Sequence, residues 1–185
     1  MVVNPGRLSL LLFLLLPSFA AAQIPNLYLA AYGDRQVLGV ADGEFTSAIG
    51  VLSVGYWIRE GIGLELEAGT GLTDDSINSL ELSVESLVAA NLRLESPPME
   101  DIAAYVLLGA SAIRLDSDFS GIPDSSVDSS LTGFRGAIGL TFNLSPSWQL
   151  DAGFTHHEYN SDVSINSFRL GMRFILAPQA AWKRR

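Results

Sequence analysis

The chain has 185 residues, a formal net charge of −9 and no cysteine. Its excess of acidic over basic residues argues against nucleic acid as a partner, and without cysteine no disulfide can staple the fold. No stretch beyond the first 22 residues is apolar enough for a membrane-spanning helix, so the remainder of the chain is either a soluble domain or a barrel.

Residues 1–22 have the layout of a cleaved signal peptide. Arg7 gives a positive start, Leu8 to Leu16 is an almost unbroken apolar run, and Ala20-Ala21-Ala22 suits a signal peptidase. The run is shorter than the ~20 residues that a bilayer-spanning helix needs. Cleavage before Gln23 would leave 163 residues with twenty acidic and ten basic side chains, because Arg7 is lost. The predicted organisation is a signal peptide (1–22), a single barrel domain (23–176) and a short periplasmic tail (177–185).

From Leu27 onward apolar residues alternate with polar or small ones, which is strand periodicity. Leu27 to Tyr32 and Ile49 to Ile58 read as strands whose facing is undecided. Leu64, Leu66 and Ala68 oppose Glu65, Glu67 and Gly69. The clearest case is Leu80 to Glu95. There Leu80, Leu82, Val84, Val88, Ala90, Leu92 and Leu94 share one parity, interrupted by Ser86, and Glu81, Glu85 and Arg93 lie on the other.

Ile102 to Leu115 is a further strand of undecided facing. Phe134, Ile138, Leu140 and Phe142 then oppose Arg135 and Gly139. Trp148, Leu150, Ala152 and Phe154 oppose Asp151 and Gly153, and Phe168, Leu170, Met172 and Phe174 oppose Arg169, Gly171 and Arg173. This makes eight strands. Short turns at Arg59-Glu60-Gly61, Glu95 to Asp101 and Ser145-Pro146-Ser147 alternate with longer polar links, Gly33 to Ser47, Thr73 to Ser79 and Asp116 to Ser130, before a tight last link at Asn160 to Asp162. Short turns on one rim and longer loops on the other are the pattern of an outer-membrane barrel.

Alternation alone does not say which parity meets lipid. The Gly, Ala and Ser content of the polar parity suits a narrow lumen. Tyr56, Trp57, Phe142, Trp148 and Phe174, near the short turns, suit an interfacial girdle. Together with the leader these favour an all-β, antiparallel transmembrane barrel with apolar side chains outward. The lumen would then hold a charge network of Glu65, Glu67, Glu81, Glu85, Arg93, Arg135, Asp151, Arg169 and Arg173, expected to act as a packed structural plug.

The stretch Gly133 to Leu176, GFRGAIGLTFNLSPSWQLDAGFTHHEYNSDVSINSFRLGMRFIL, resembles the closing two hairpins of the OmpA-like and OmpX-like outer-membrane β-barrel family, and YVLLGASAIRLDSD upstream resembles that family's fifth strand. The last strand is similar to the family's barrel-assembly signal at Arg169, Gly171, Phe174 and Leu176. The resemblance implies insertion by the barrel-assembly machinery among outer-membrane lipid and lipopolysaccharide. Family members commonly finish on the signal's aromatic residue, whereas this chain continues as APQAAWKRR, too short for a peptidoglycan-binding domain.

His156, His157, Glu158 and Tyr159 form one further cluster, read as surface and rim structure. Lipid A deacylases, also eight-stranded barrels, carry a serine two residues after the histidine, and here those positions are Glu158 and Tyr159. Adjacent strand histidines point to opposite faces and do not readily share a metal ion. Asp34, Asp42, Glu44, Asp74, Asp75, Asp116, Asp118, Asp124 and Asp128 read as solvated loop acids without EF-hand spacing. No cofactor or metal is implied. The expectation is a monomeric, non-enzymatic barrel serving envelope integrity or surface interaction, with a narrow pore and a lipid A-modifying enzyme as alternatives.

Overall fold

The structure is a computed structural model that describes residues 26–40, 43–73, 75–77, 80–119, 127–159 and 163–176. The leader and the C-terminal tail lie outside the described residues. Every regular element among those described is a strand: β1 (Leu27–Val40), β2 (Gly43–Arg59), β3 (Ile62–Gly71), β4 (Asp75–Ile77), β5 (Leu80–Glu95), β6 (Ile102–Phe119), β7 (Val127–Asn143), β8 (Trp148–Tyr159) and β9 (Val163–Ile175). Each long strand pairs antiparallel with its sequence neighbour, β9 closes on β1, and β3 pairs directly with β5. The result is a closed eight-stranded barrel, with the three-residue β4 added alongside the start of β5. Closure leaves no long strand with an unpaired edge, the condition for placing strands in hydrocarbon.

Pairing partners traced round the wall from Gly71 pass Ile49, Asp34, Arg169, Gly153, Gly139, Tyr105 and Glu95. Glu95 N–H then donates to the Gly61 carbonyl, so the circuit returns ten residues before its start. That stagger tilts the strands against the barrel axis. At the turn between β2 and β3, Gly61 has φ +71°, and a Cβ there would lie 2.6 Å from the Glu95 carbonyl oxygen, so the position calls for glycine on both counts.

The side-chain alternation has the inside-out sense. Leu64, Leu66, Ile138, Leu140, Phe168 and Leu170 are exposed on the outer wall, while Glu65, Glu67, Arg93, Arg135, Asp151, Arg169 and Arg173 are buried inside. The structure also settles the three strands of undecided facing. Tyr28, Ala30 and Tyr32 of β1, Ile49, Val51 and Ser53 of β2, and Ala103, Tyr105 and Leu107 of β6 point inward.

The polar links are shorter than expected. Most of Gly33 to Ser47 and parts of Asp116 to Ser130 belong to β1–β2 and β6–β7. Polar residues continue a hydrogen-bonded hairpin once it leaves the apolar layer, where nothing selects for an apolar outer face. The 18 residues of β6, at ~3.4 Å per residue, far exceed what a tilted strand needs to cross an apolar band of ~25 Å. Asp34, read as a loop acid, is consequently a lumen residue.

Two other expectations are corrected. Pairing of β5 with β6 shifts register between Val84 and Ser86, a β-bulge that reverses facing, so Val84 is buried and Glu85 lies outside, beside Arg114. Glu85 therefore does not belong to the lumen network. Glu81 pairs through its backbone with Asp118, and its side chain lies outside the described residues. Trp57 occupies the inward parity of β2. Its ring lies 5.3 Å from that of Tyr28 and below the Arg173 guanidinium, so it floors the lumen instead of joining the outer girdle.

Candidate functional site: the barrel lumen

The lumen is layered from the rim of short turns to the rim of loops. In the first layer Asp151 of β8 is the hub. Arg93 Nη2 and Arg173 Nη2 reach its two oxygens, each at 3.2 Å, and Thr141 Oγ1 donates to it at 2.7 Å. Both arginines also donate to Glu95, at 3.0 Å each. Arg93 stands 3.6 Å from Glu65, whose carboxylate accepts the Tyr28 hydroxyl at 2.8 Å.

Glycines explain how three tyrosines fit beside these charges. A Cβ at Gly55 would fall 1.9 Å from the Tyr28 ring, one at Gly171 2.3 Å from Tyr32, and those at Gly139 and Gly153 within 2.5 Å of Tyr105. Each ring therefore lies flat on a bare stretch of neighbouring strand. The other face of each ring receives a guanidinium: Arg93 stands 4.1 Å over Tyr105, Arg169 4.4 Å over Tyr32 and Arg173 5.2 Å over Tyr28. The small-residue parity seen in the sequence is thus a seat for aromatic rings, which in turn position the arginines.

The second layer is built on Glu67. It accepts Arg135 Nη1 at 2.7 Å, Arg169 Nη1 and Nη2 at 2.7 and 2.9 Å, and the Asn91 amide at 3.3 Å. Arg169 also holds Asp34 through Nε at 2.9 Å and Nη2 at 2.7 Å. These contacts join β1, β3, β5, β7 and β9 across the interior. Above them Ser111, His157 and Tyr159 form a triangle with sides of 3.0, 3.0 and 2.9 Å. Toward the loop rim the lumen becomes apolar, with Ile49, Val51, Val84, Leu87, Ile113, Leu115 and Ile165 packed together.

Of the nine residues expected in a lumen network, seven take part. Glu85 does not, and Glu81's side chain is undescribed. Asp34, read in the sequence as a loop acid, joins it, and so do Glu95 and Thr141, which the sequence did not single out. In the last strand Arg169 is a lumen residue, Gly171 seats Tyr32, and Phe174 packs 4.8 Å from Trp148. Leu176 lies just past the strand, its N–H donating to the Leu27 carbonyl.

The family described as outer membrane protein beta-barrel domain matches residues 8–174, most of the chain. The chain belongs to this outer-membrane β-barrel family. It is an eight-stranded barrel of the bacterial outer membrane. The chain is similar in structure to Neisserial surface protein A (TM-score 0.65, 17% identity, covering 81% of this chain and 97% of that one). It is also similar to Ail, the attachment invasion locus protein of Yersinia pestis (0.61, 18%, 82% and 100%), and to OprG of Pseudomonas aeruginosa (0.57, 11%, 81% and 96%). No curated protein matches the chain in sequence.

In this outer-membrane barrel the two histidines do take opposite faces. His156 is outward and its Nδ1 lies 2.8 Å from Asn166 Oδ1, whereas His157 is only 1% exposed. His157 is thus an interior residue, a correction to the rim reading, because the strand runs on above the ion layer with the same parity. Its hydroxyl neighbour Ser111 comes from β6, two strands away, a pairing that local spacing does not reveal. Among the described residues no group of three or more His, Cys, Asp or Glu is placed to hold a metal ion.

Proposed function

We propose that this barrel is a non-enzymatic, monomeric outer-membrane protein that serves envelope integrity and surface contact through the hairpins above its lipid-facing band. The observation that carries the reading is the cross-lumen network centred on Glu67 and Asp151. Four arginines clasp five carboxylates within the narrow interior, and an apolar cluster is stacked above them. Passage of a hydrated ion would require breaking pairs whose partners would be left as unpaired buried charges, at a cost of several kcal/mol each. This supports a plug over a pore. Ser111 and His157 lie inside the barrel, 5% and 1% exposed, while lipid is outside, which supports a structural role for that pair over lipid hydrolysis. Ail, named for attachment and invasion, offers a parallel for the contact role.

Outer-membrane lipid, lipopolysaccharide and the barrel-assembly machinery are the partners this reading requires. Planar-bilayer recording tests it. The expected trace shows no steady unit conductance, and reproducible open-channel steps would favour the pore reading. Release of fatty acid from lipid A by the purified barrel would favour the enzyme.

A further inference from the structure

Beside the ion layer lies a patch of wall in which several buried polar atoms have no partner among the described residues. Arg135 on β7 stands opposite His157 on β8, Thr155 on β8 opposite Ser167 on β9, and Ser167 opposite Gln36 on β1. All five side chains are at most 2% exposed. Arg135 Nε and Nη2, His157 Nε2, Thr155 Oγ1, Ser167 Oγ and Gln36 Nε2 make no hydrogen bond among the described residues.

Arg135 Nε and Nη2 and Gln36 Nε2 are hydrogen donors, and the Thr155 and Ser167 hydroxyls can donate as well. Nε and Nη2 form one edge of the guanidinium, the fork that grips an anion from the side, while Nη1 is engaged by Glu67. His157 Nδ1 lies 3.0 Å from the Ser111 and Tyr159 hydroxyls, either of which can donate to it. With Nδ1 accepting, the ring hydrogen sits on Nε2. The carboxylates of this level are already occupied, Glu67 by two arginines and Asn91, Asp34 by Arg169. An orphan acceptor, Asn91 Oδ1, is turned against the wall at Gly109.

We propose that Arg135, His157, Thr155, Ser167 and Gln36 form an enclosed site for one small anion of the halide class. Burying so many donors without acceptors is costly, and a single anion accepts from several at once. The buried Glu67 layer and the apolar cluster of Ile49, Ile113 and Ile165 would bound such a site, so the anion would be captured as the barrel closes.

The test refolds the full chain into lipid vesicles in chloride, in bromide and in gluconate at equal ionic strength. Unfolding should be about tenfold slower in chloride or bromide than in gluconate when the halide is at roughly ten times its Kd. Thr155→Val and Ser167→Ala, which leave every charge in place, should lose most of that difference. Crystals grown in bromide should show an anomalous peak within hydrogen-bond reach of Arg135 Nε and Nη2. Equal unfolding rates in halide and gluconate, an undiminished difference in the two variants, or a bromide map without that peak would each overturn the proposal.

Discussion

Arg169 grips Glu67 with two parallel hydrogen bonds, Nη1 to Oε1 at 2.7 Å and Nη2 to Oε2 at 2.9 Å, across 102 residues of sequence. The same guanidinium holds Asp34, so one side chain of β9 ties β1 to β3 through the middle of the barrel. This pair spans the lumen between strands that are not neighbours in the wall, since β1 and β2 lie between β9 and β3.

Removing that tie should cost more than its net worth, since two buried carboxylates lose a counter-charge. Arg169→Leu is expected to destabilise the barrel by about 3–5 kcal/mol. Acidification should narrow the gap to the parent, because protonation removes the uncompensated negative charge that the lost guanidinium leaves behind. Unfolding free energies in lipid vesicles at neutral and mildly acidic pH measure both effects, and a gap that does not narrow on acidification would contradict the assignment.

The lipid face should respond differently. Leu140→Arg and Leu92→Arg place a charge in hydrocarbon and should cost about 2–4 kcal/mol near mid-membrane, less near a rim, with no rescue by acid. Ile138→Arg, 63% exposed in the parent side chain, locates the depth dependence. The same vesicle titrations read it, and variants as stable as the parent would mean that this wall does not face lipid.

Seating of Tyr105 on Gly139 makes that glycine sensitive to a single methyl group. Gly139→Ala puts a Cβ 2.5 Å from the ring and 2.4 Å from the Ala152 carbonyl oxygen, and should cost about 1–3 kcal/mol. In a double-mutant cycle Tyr105→Leu should recover the ring's share and leave the backbone's share. Strict additivity would show that ring and glycine do not touch.

Glu85 separates the bulged barrel from a regular one. Its pair with Arg114 is more than half exposed, at 3.6 Å, so Glu85→Ala should change stability by under about 1 kcal/mol. A loss as large as that of Glu67→Ala would restore it to the lumen.

Closure predicts heat-modifiable migration. The sealed ladder from β1 round to β9 should survive detergent until heated, so unboiled protein should run at a different position from boiled protein on a denaturing gel. Identical migration of refolded, membrane-derived material would count against a closed barrel.

Strands β3, β7, β8 and β9 were legible in the sequence with the correct facing because their two sides differ in kind. Leu66 beside Glu67, or Leu170 beside Arg169, announces lipid on one side and a charged lumen on the other with a period of two. That contrast, with the turn spacing, was enough for strand number, closure and seven members of the ion network. In β1, β2 and β6 the contrast fails. Ile49, Val51 and Leu107 are apolar residues that face inward, and their outward neighbours are apolar or small as well, so the period survives without a sign. The bulge at Glu85 left only the interruption at Ser86 as a trace, because a one-residue slip is set by pairing with β6 and not by β5 itself. Asp34 looked like a loop acid, and His157 had no visible partner in Ser111, for the same reason. Their partners lie on strands that come face to face only when the barrel closes, so the period of each strand was local information, while register and cross-lumen contacts belonged to the ring as a whole.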